Sequence, residues 1–200
     1  MNKSEIINNA LEKSMSYKEY RVLIDSLTEI GKTTGENHSE AMLNYTQMNL
    51  TRMNKWDKHY SVSEEAKASV KKGGKEIWLL ITEAWCGDAA HSVPVLEKLS
   101  NENPDIDLRI VLRDENLDLM DLYLTNGGRS IPKLIRLESE TKTEISNWGP
   151  RPKEAQQLVL DAKTNGVDHD EYTKNLQIWY ARDRGKTLEK EMLEIFKLKN

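Results

Sequence analysis

At 200 residues the chain is long enough for one hydrophobic core and an added helical layer. Its 38% hydrophobic and 31% charged residues, with a net charge of −4, describe a soluble globular protein. That slight acidity argues against a general nucleic-acid binder, which needs a basic excess or stripe. The longest apolar run, Ile77-Trp78-Leu79-Leu80-Ile81, is far shorter than the ~20 residues of a membrane span. The stretch from Met1 to Glu5 leads into no signal-type segment, so a cytoplasmic location without membrane contact is expected. A single cysteine, Cys86, excludes an internal disulfide and a cysteine-based zinc cluster. His38, His59, His91 and His169 lack metal-ligand spacing, so neither a metal nor a bound cofactor is expected.

The first seventy residues read as helices. Ser16-Tyr17-Lys18-Glu19 is a capping-box pattern, in which the serine and glutamate side chains satisfy each other's backbone N–H groups. Tyr20, Leu23, Ile24, Leu27 and Ile30 then follow at helical spacing, and Gly31 suits the position after the helix end. A second helix is expected from about Ser39 to His59, with Met42, Tyr45, Asn49, Met53 and Trp56 inward as packing residues. A third runs from about Ser63 to Lys72 and stops at Gly73-Gly74.

At Lys75 the pattern changes. Residues 77–82 read as a strand buried on both faces. A helix kinked by Pro94 follows over 89–101, then a strand over 108–112 and a helix around 117–124. Residues 132–137 and 144–148 form a hairpin across the polar turn 138–143. A closing helix is expected over 152–164, with Ala155, Leu158, Val159 and Ala162 on one side. Two more helices complete the chain. One spans about Tyr172 to Ala181; the other carries Leu188, Met192, Ile195 and Phe196 on one face. Both are expected to pack on the domain or the N-terminal helices. A dimerisation face is the alternative, so monomer and homodimer both stay open. This divides the chain into an N-terminal helical extension (1–74), an α/β domain (75–164) and a C-terminal helical extension (165–200).

Chemistry concentrates at Trp85-Cys86-Gly87-Asp88-Ala89-Ala90, where the first strand gives way to a helix. A helix N-terminus exposes unpaired N–H groups and the positive end of the dipole, which favours a thiolate. Pro94 lies eight residues after Cys86, and Asp114-Glu115-Asn116 follows the second strand. Ser130-Ile131-Pro132 places a proline 46 residues after Cys86, and Gly149 comes 17 residues later. With the W-C-G tripeptide, these landmarks in this order resemble the thioredoxin superfamily. The resemblance implies a thioredoxin fold, a central mixed sheet flanked by helices. It also implies a cis bond before Pro132, a backbone at Ile131 that pairs with an extended peptide, and Gly149 ending the last strand beside the site.

On that resemblance Cys86 is the candidate nucleophile. Asp88 is the second catalytic candidate, because its charge tends to raise the thiol pKa; its alternative role is a first-turn acid that stabilises the helix. Trp85, Gly87, Ile131, Pro132, Trp148 and Gly149 are the candidate substrate-binding residues, with Trp85, Ile131 and Trp148 walling an apolar groove. Arg151, with Arg129, offers charge to an anionic partner such as a glutathione carboxylate.

The departures shape the expected reaction. Ala89 replaces the second cysteine, so a mixed disulfide at Cys86 needs an external thiol for release. Leu80 stands where the family carries a buried carboxylate for proton transfer, and Glu83 replaces the threonine of a peroxidase-type site. The leading expectation is monothiol thiol–disulfide redox activity, with protein or small-molecule thiols and disulfides as partners and glutathione or another low-molecular-weight thiol as co-substrate. The alternatives are a redox-inactive binding or chaperone module using the groove beside Pro132, and a buried structural thiol at Cys86.

Overall fold

The computed structural model describes residues 1–197; the last three residues of the expected 165–200 extension lie outside the described residues. Four helices come first: α1 (Lys3–Glu12), α2 (Tyr17–Glu29), α3 (Glu40–His59) and α4 (Glu64–Val70). Then follow β1 (Glu76–Thr82), α5 (Gly87–Ser100), β2 (Ile106–Leu112), α6 (Leu117–Asp121), β3 (Lys133–Glu138) and β4 (Glu144–Trp148). Helices α7 (Lys153–Thr164), α8 (His169–Asp183) and α9 (Lys186–Lys197) complete the chain.

The strands form one sheet in the order β2-β1-β3-β4. Strand β1 pairs parallel with β2 and antiparallel with β3, and β3 pairs antiparallel with β4. All seven residues of β1 are buried, as a central strand with helices on both faces requires. Met15 adds an antiparallel bridge at the free edge of β2, where Ile110 N donates to Met15 O at 2.7 Å and Met15 N returns a bond at 2.9 Å. This caps an otherwise open row of edge groups.

Local signals set the helix ends. Asn2 and Ser16 each form a capping box, with Glu5 and Glu19 respectively. Gly31 takes φ +69°, the left-handed conformation that ends α2. Two inward assignments are corrected. Ile30 is 67% exposed because α2 has ended, and Tyr45 faces solvent while Thr46 is buried against Thr33. The helix beginning at Leu117 is shorter than expected and ends at Asp121.

One core joins α1 to α5 and α9 to the sheet, taking Ile7, Tyr20, Met53, Val70, Trp78, Leu96, Met192 and Phe196 together. A smaller cluster (Ala155, Val159, Leu176, Tyr180) seals α7 against α8. Both C-terminal helices therefore pack on the rest of the chain. Helix α9 covers the sheet, with Phe196 5.8 Å from the Trp78 ring and 4.2 Å from the Arg136 guanidinium. Arg136, in mid-β3, is fully buried. Its Nε and Nη2 donate to the two Glu76 carboxylate oxygens at 2.8 and 2.7 Å.

Candidate active site

The turn from β1 into α5 carries the motif, and side chains from the N-terminal helices hold it. Thr34 Oγ1 accepts from Ala84 N at 2.9 Å, and Asn49 Nδ2 donates to Ala84 O at 2.9 Å. Within the turn, Cys86 N donates to Glu83 O at 3.2 Å, and Cys86 O accepts the first helical bond from Ala90 N. Cys86 is thus the N-cap of α5, which starts at Gly87 rather than at the expected Ala89. A Cβ on Gly87 would lie 3.4 Å from Gln177 Nε2 of α8 and 3.7 Å from Arg52 Nη1 of α3, so both helices close over the start of α5.

Cys86 is buried, and its Sγ donates to the Ile131 carbonyl at 3.3 Å. The Ile131–Pro132 bond is cis, as expected from the resemblance. Gly149 ends β4 with φ +113°, packed against Pro132 O so closely that only a glycine fits. Burial pushes the Cys86 thiol up to about 12, and the Asp88 charge adds to the shift. The Ala89 and Asp88 backbone N–H groups and the Arg151 charge pull the other way and lose. The helix N-terminus therefore does not deliver a thiolate here, because desolvation outweighs the dipole.

Asp88 is fully engaged. Tyr180 of α8 donates to Oδ1 at 2.8 Å, and Arg151 donates to Oδ2 through Nε at 3.0 Å and through Nη2. Arg151 Nη1 also reaches Gln156 Oε1 at 2.9 Å. The carboxylate thus ties the start of α5 to the loop after β4 and to α8. Arg151, expected to meet an anionic partner, is committed to Asp88, and Arg129 is paired with exposed Asp121.

The expected groove walls separate. Ile131 and Pro132 are buried beside the sulfur. Trp148 sends its indole N–H to Glu191 of α9 at 2.7 Å, which binds that side chain into the C-terminal helix. Trp85 is half-buried, with the Arg113 guanidinium 4.7 Å over its ring. Arg113 Nε also donates to Asp114 Oδ1 at 2.8 Å.

Sequence reasoning named three neighbours without assigning them a role at the site. Glu83 is completely buried, and its Oε1 accepts from Asp114 N at 2.9 Å. Burial raises this carboxyl above its usual range. Asn49 was legible as a polar residue on an apolar helix face, but its use in pinning the turn was not. Tyr180 comes from α8, nearly a hundred residues downstream, and no local pattern announces that it meets Asp88.

On its far side α5 presents His91, which stacks on Tyr180 with ring centroids 4.3 Å apart. Nδ1 accepts from Trp56 Nε1 at 3.0 Å, so the ring proton sits on Nε2 and is donated to Gln177 Oε1 at 2.7 Å. Burial pulls the His91 pKa down to about 4, against 6.5 for a free imidazole. The folded protein therefore binds fewer protons than the unfolded chain between these values. The contribution of neutral His91 is complete above pH 6.5 and is lost as pH falls through 4. Urea unfolding of wild type should lose about 2–3 kcal/mol more between pH 7.5 and 4.5 than His91→Gln does; equal losses would show that His91 does not titrate in this window.

A thioredoxin family model matches residues 35–166. The chain belongs to the thioredoxin family. The match begins well before Lys75 and takes in α3, whose Asn49 holds the motif turn, and α4. The chain is similar in fold to a protein of unknown function from Pseudomonas aeruginosa, with 17% identity and a TM-score of 0.55 over 93% of this chain and 99% of the other. It is also similar to the crystal structure of an HIV epitope scaffold, at 16% identity and a TM-score of 0.54 over 92% of this chain and 98% of that one. At such identities the likeness is one of fold alone. No curated protein matches the chain. Among the described residues, no helix is long and apolar enough to cross a membrane.

Proposed function

We propose that this thioredoxin-family chain is a binding module that has kept the Cys86 site while giving up dithiol turnover. The observation that carries this reading is the state of the thiol. Cys86 is buried, bonded to the carbonyl beside the cis proline, and protonated at neutral pH. Ala89 in place of a second cysteine and Leu80 in place of a buried carboxylate agree with it. Binding would use the surface beside Pro132, with half-buried Trp85, next in sequence to Cys86 and covered on one face by the Arg113 guanidinium, as an apolar contact.

Iodoacetamide labelling, read by intact mass, tests the proposal with one possible adduct. At pH 7.5 the native chain should label roughly three orders of magnitude more slowly than the same chain in urea, the ratio set by a thiol near 12 against about 8.5. The native rate should keep rising about tenfold per pH unit through pH 10. Under reducing conditions Cys86→Ser should hold the same bound proteins as wild type. Native labelling at pH 7.5 within tenfold of the unfolded chain would overturn the binding-module reading.

That outcome would favour monothiol exchange, which one observation supports. Two backbone N–H groups and Arg151 already face the sulfur, so motion of α8 that hydrates Cys86 would lower its pKa. The thiolate would then attack a disulfide, form a mixed disulfide and expel one thiolate. A second thiol, such as glutathione, would release Cys86 by the same exchange.

A further inference from the structure

A cavity of about 810 Å³ opens between α3, α8 and α9, along the part of α5 that carries His91. That volume lies within the range of small-molecule sites. Four cationic side chains line it: Arg52 and Lys55 from α3, Arg184 from the α8–α9 junction and Lys186 from α9. Among the described residues the one lining carboxylate, Glu189, already accepts from Tyr60 OH at 2.6 Å and from Ser63 N at 3.1 Å. Among the described residues none of the four cations has an acidic partner within 4 Å. In a chain of net charge −4, this concentration of positive charge is local.

Arg52 is the informative member. It is half-buried, its Nη1 is turned onto Asn49 Oδ1 at 2.7 Å, and desolvation lowers its pKa with no carboxylate to offset the effect. A guanidinium held in that way lacks the planar anion it is shaped to accept. Aromatic rings form part of the remaining wall, beside serines and Gln177. Trp56 meets Tyr60 edge-on at 5.8 Å and His91 at 5.9 Å, and His91 lies flat on Tyr180. With Nδ1 and Nε2 both bonded, His91 is a neutral, rigid part of the wall.

We propose that this cavity binds a small aromatic anion, its phosphate, sulfonate or carboxylate on the Arg52–Lys55–Arg184–Lys186 cluster and its ring against Trp56 and Tyr60. The proposal does not require Cys86 to react. It rests on cations without acidic partners and on Trp56 and Tyr60; Tyr180 is shared with the motif, since its hydroxyl donates to Asp88.

The probe is 8-anilino-1-naphthalenesulfonate, titrated by fluorescence into the full-length protein. Saturation at one site is expected, and N-phenyl-1-naphthylamine, which lacks the sulfonate, should bind at least tenfold more weakly. Arg52→Gln with Arg184→Asn should weaken the sulfonate at least tenfold; asparagine tolerates the φ of +57° at position 184. Lys32→Gln, an exposed lysine outside the cavity, should leave it unchanged. Lys186→Gln alone, at an exposed side chain, gives a second reading should the double variant unfold, with a severalfold loss expected. Absence of saturable binding, equal affinity for the neutral dye, or unchanged affinity in the cavity variants would each overturn the proposal.

Discussion

Arg136→Met is expected to destabilise the protein by about 3–5 kcal/mol, the usual result of removing one member of a buried ion pair. In a chain of this size that corresponds to a fall in Tm on the order of 10 °C. Arg136 donates twice to the Glu76 carboxylate in a fully buried fork. Nη1 reaches Ser146 Oγ at 3.3 Å, and Phe196 stands over the guanidinium. Methionine fills much of the volume but leaves the carboxylate charge in the core without that guanidinium. Glu76→Gln in the same background removes the charge and keeps an oxygen for Trp78 Nε1, which donates there at 3.0 Å. The double variant should therefore recover most of the loss. A double variant no more stable than Arg136→Met would show that packing, not charge, sets the cost.

Gly149→Ala should cost roughly 3 kcal/mol, combining backbone strain with overpacking. Gly149 has φ +113°, outside the range an alanine readily adopts. An added Cβ would also overlap Pro132 O and sit 3.2 Å from Pro132 C and 3.3 Å from Lys133 Cα, all backbone atoms that cannot swing away. Gly31→Ala is the control. It shares a positive φ of +69° but meets nothing within 4 Å, so only the left-handed penalty of about 1–2 kcal/mol applies. Urea midpoints of the two variants separate the contributions. Equal midpoints would mean that the Pro132 loop yields to the added methyl group.

The sequence determined the elements that rest on local physics. Capping residues place α2, and the polar turn over 138–143 places the hairpin of β3 and β4. The unbroken apolar run makes β1 the central strand. The spacing of Cys86, Pro94, Pro132 and Gly149 was enough to identify the family resemblance, because the fold needs those residue types at those separations.

Tertiary structure decided everything that depends on who approaches whom. Whether Cys86 is reactive turns on desolvation and on Asp88, and both depend on α8 closing over the start of α5. Asp88 looked equally like a charge acting on the Cys86 thiol or a first-turn acid stabilising the helix; only the arrival of Tyr180 and Arg151 makes it a tie between three elements. Arg136 reads as an ordinary polar strand residue until Glu76 is found across the same sheet. The cationic cavity collects residues from α3 and from the α8–α9 region, more than a hundred positions apart. Short-range periodicity records which face of a helix is apolar. It carries no record of the distant charge or ring that will meet that face, and at this site those meetings set the chemistry.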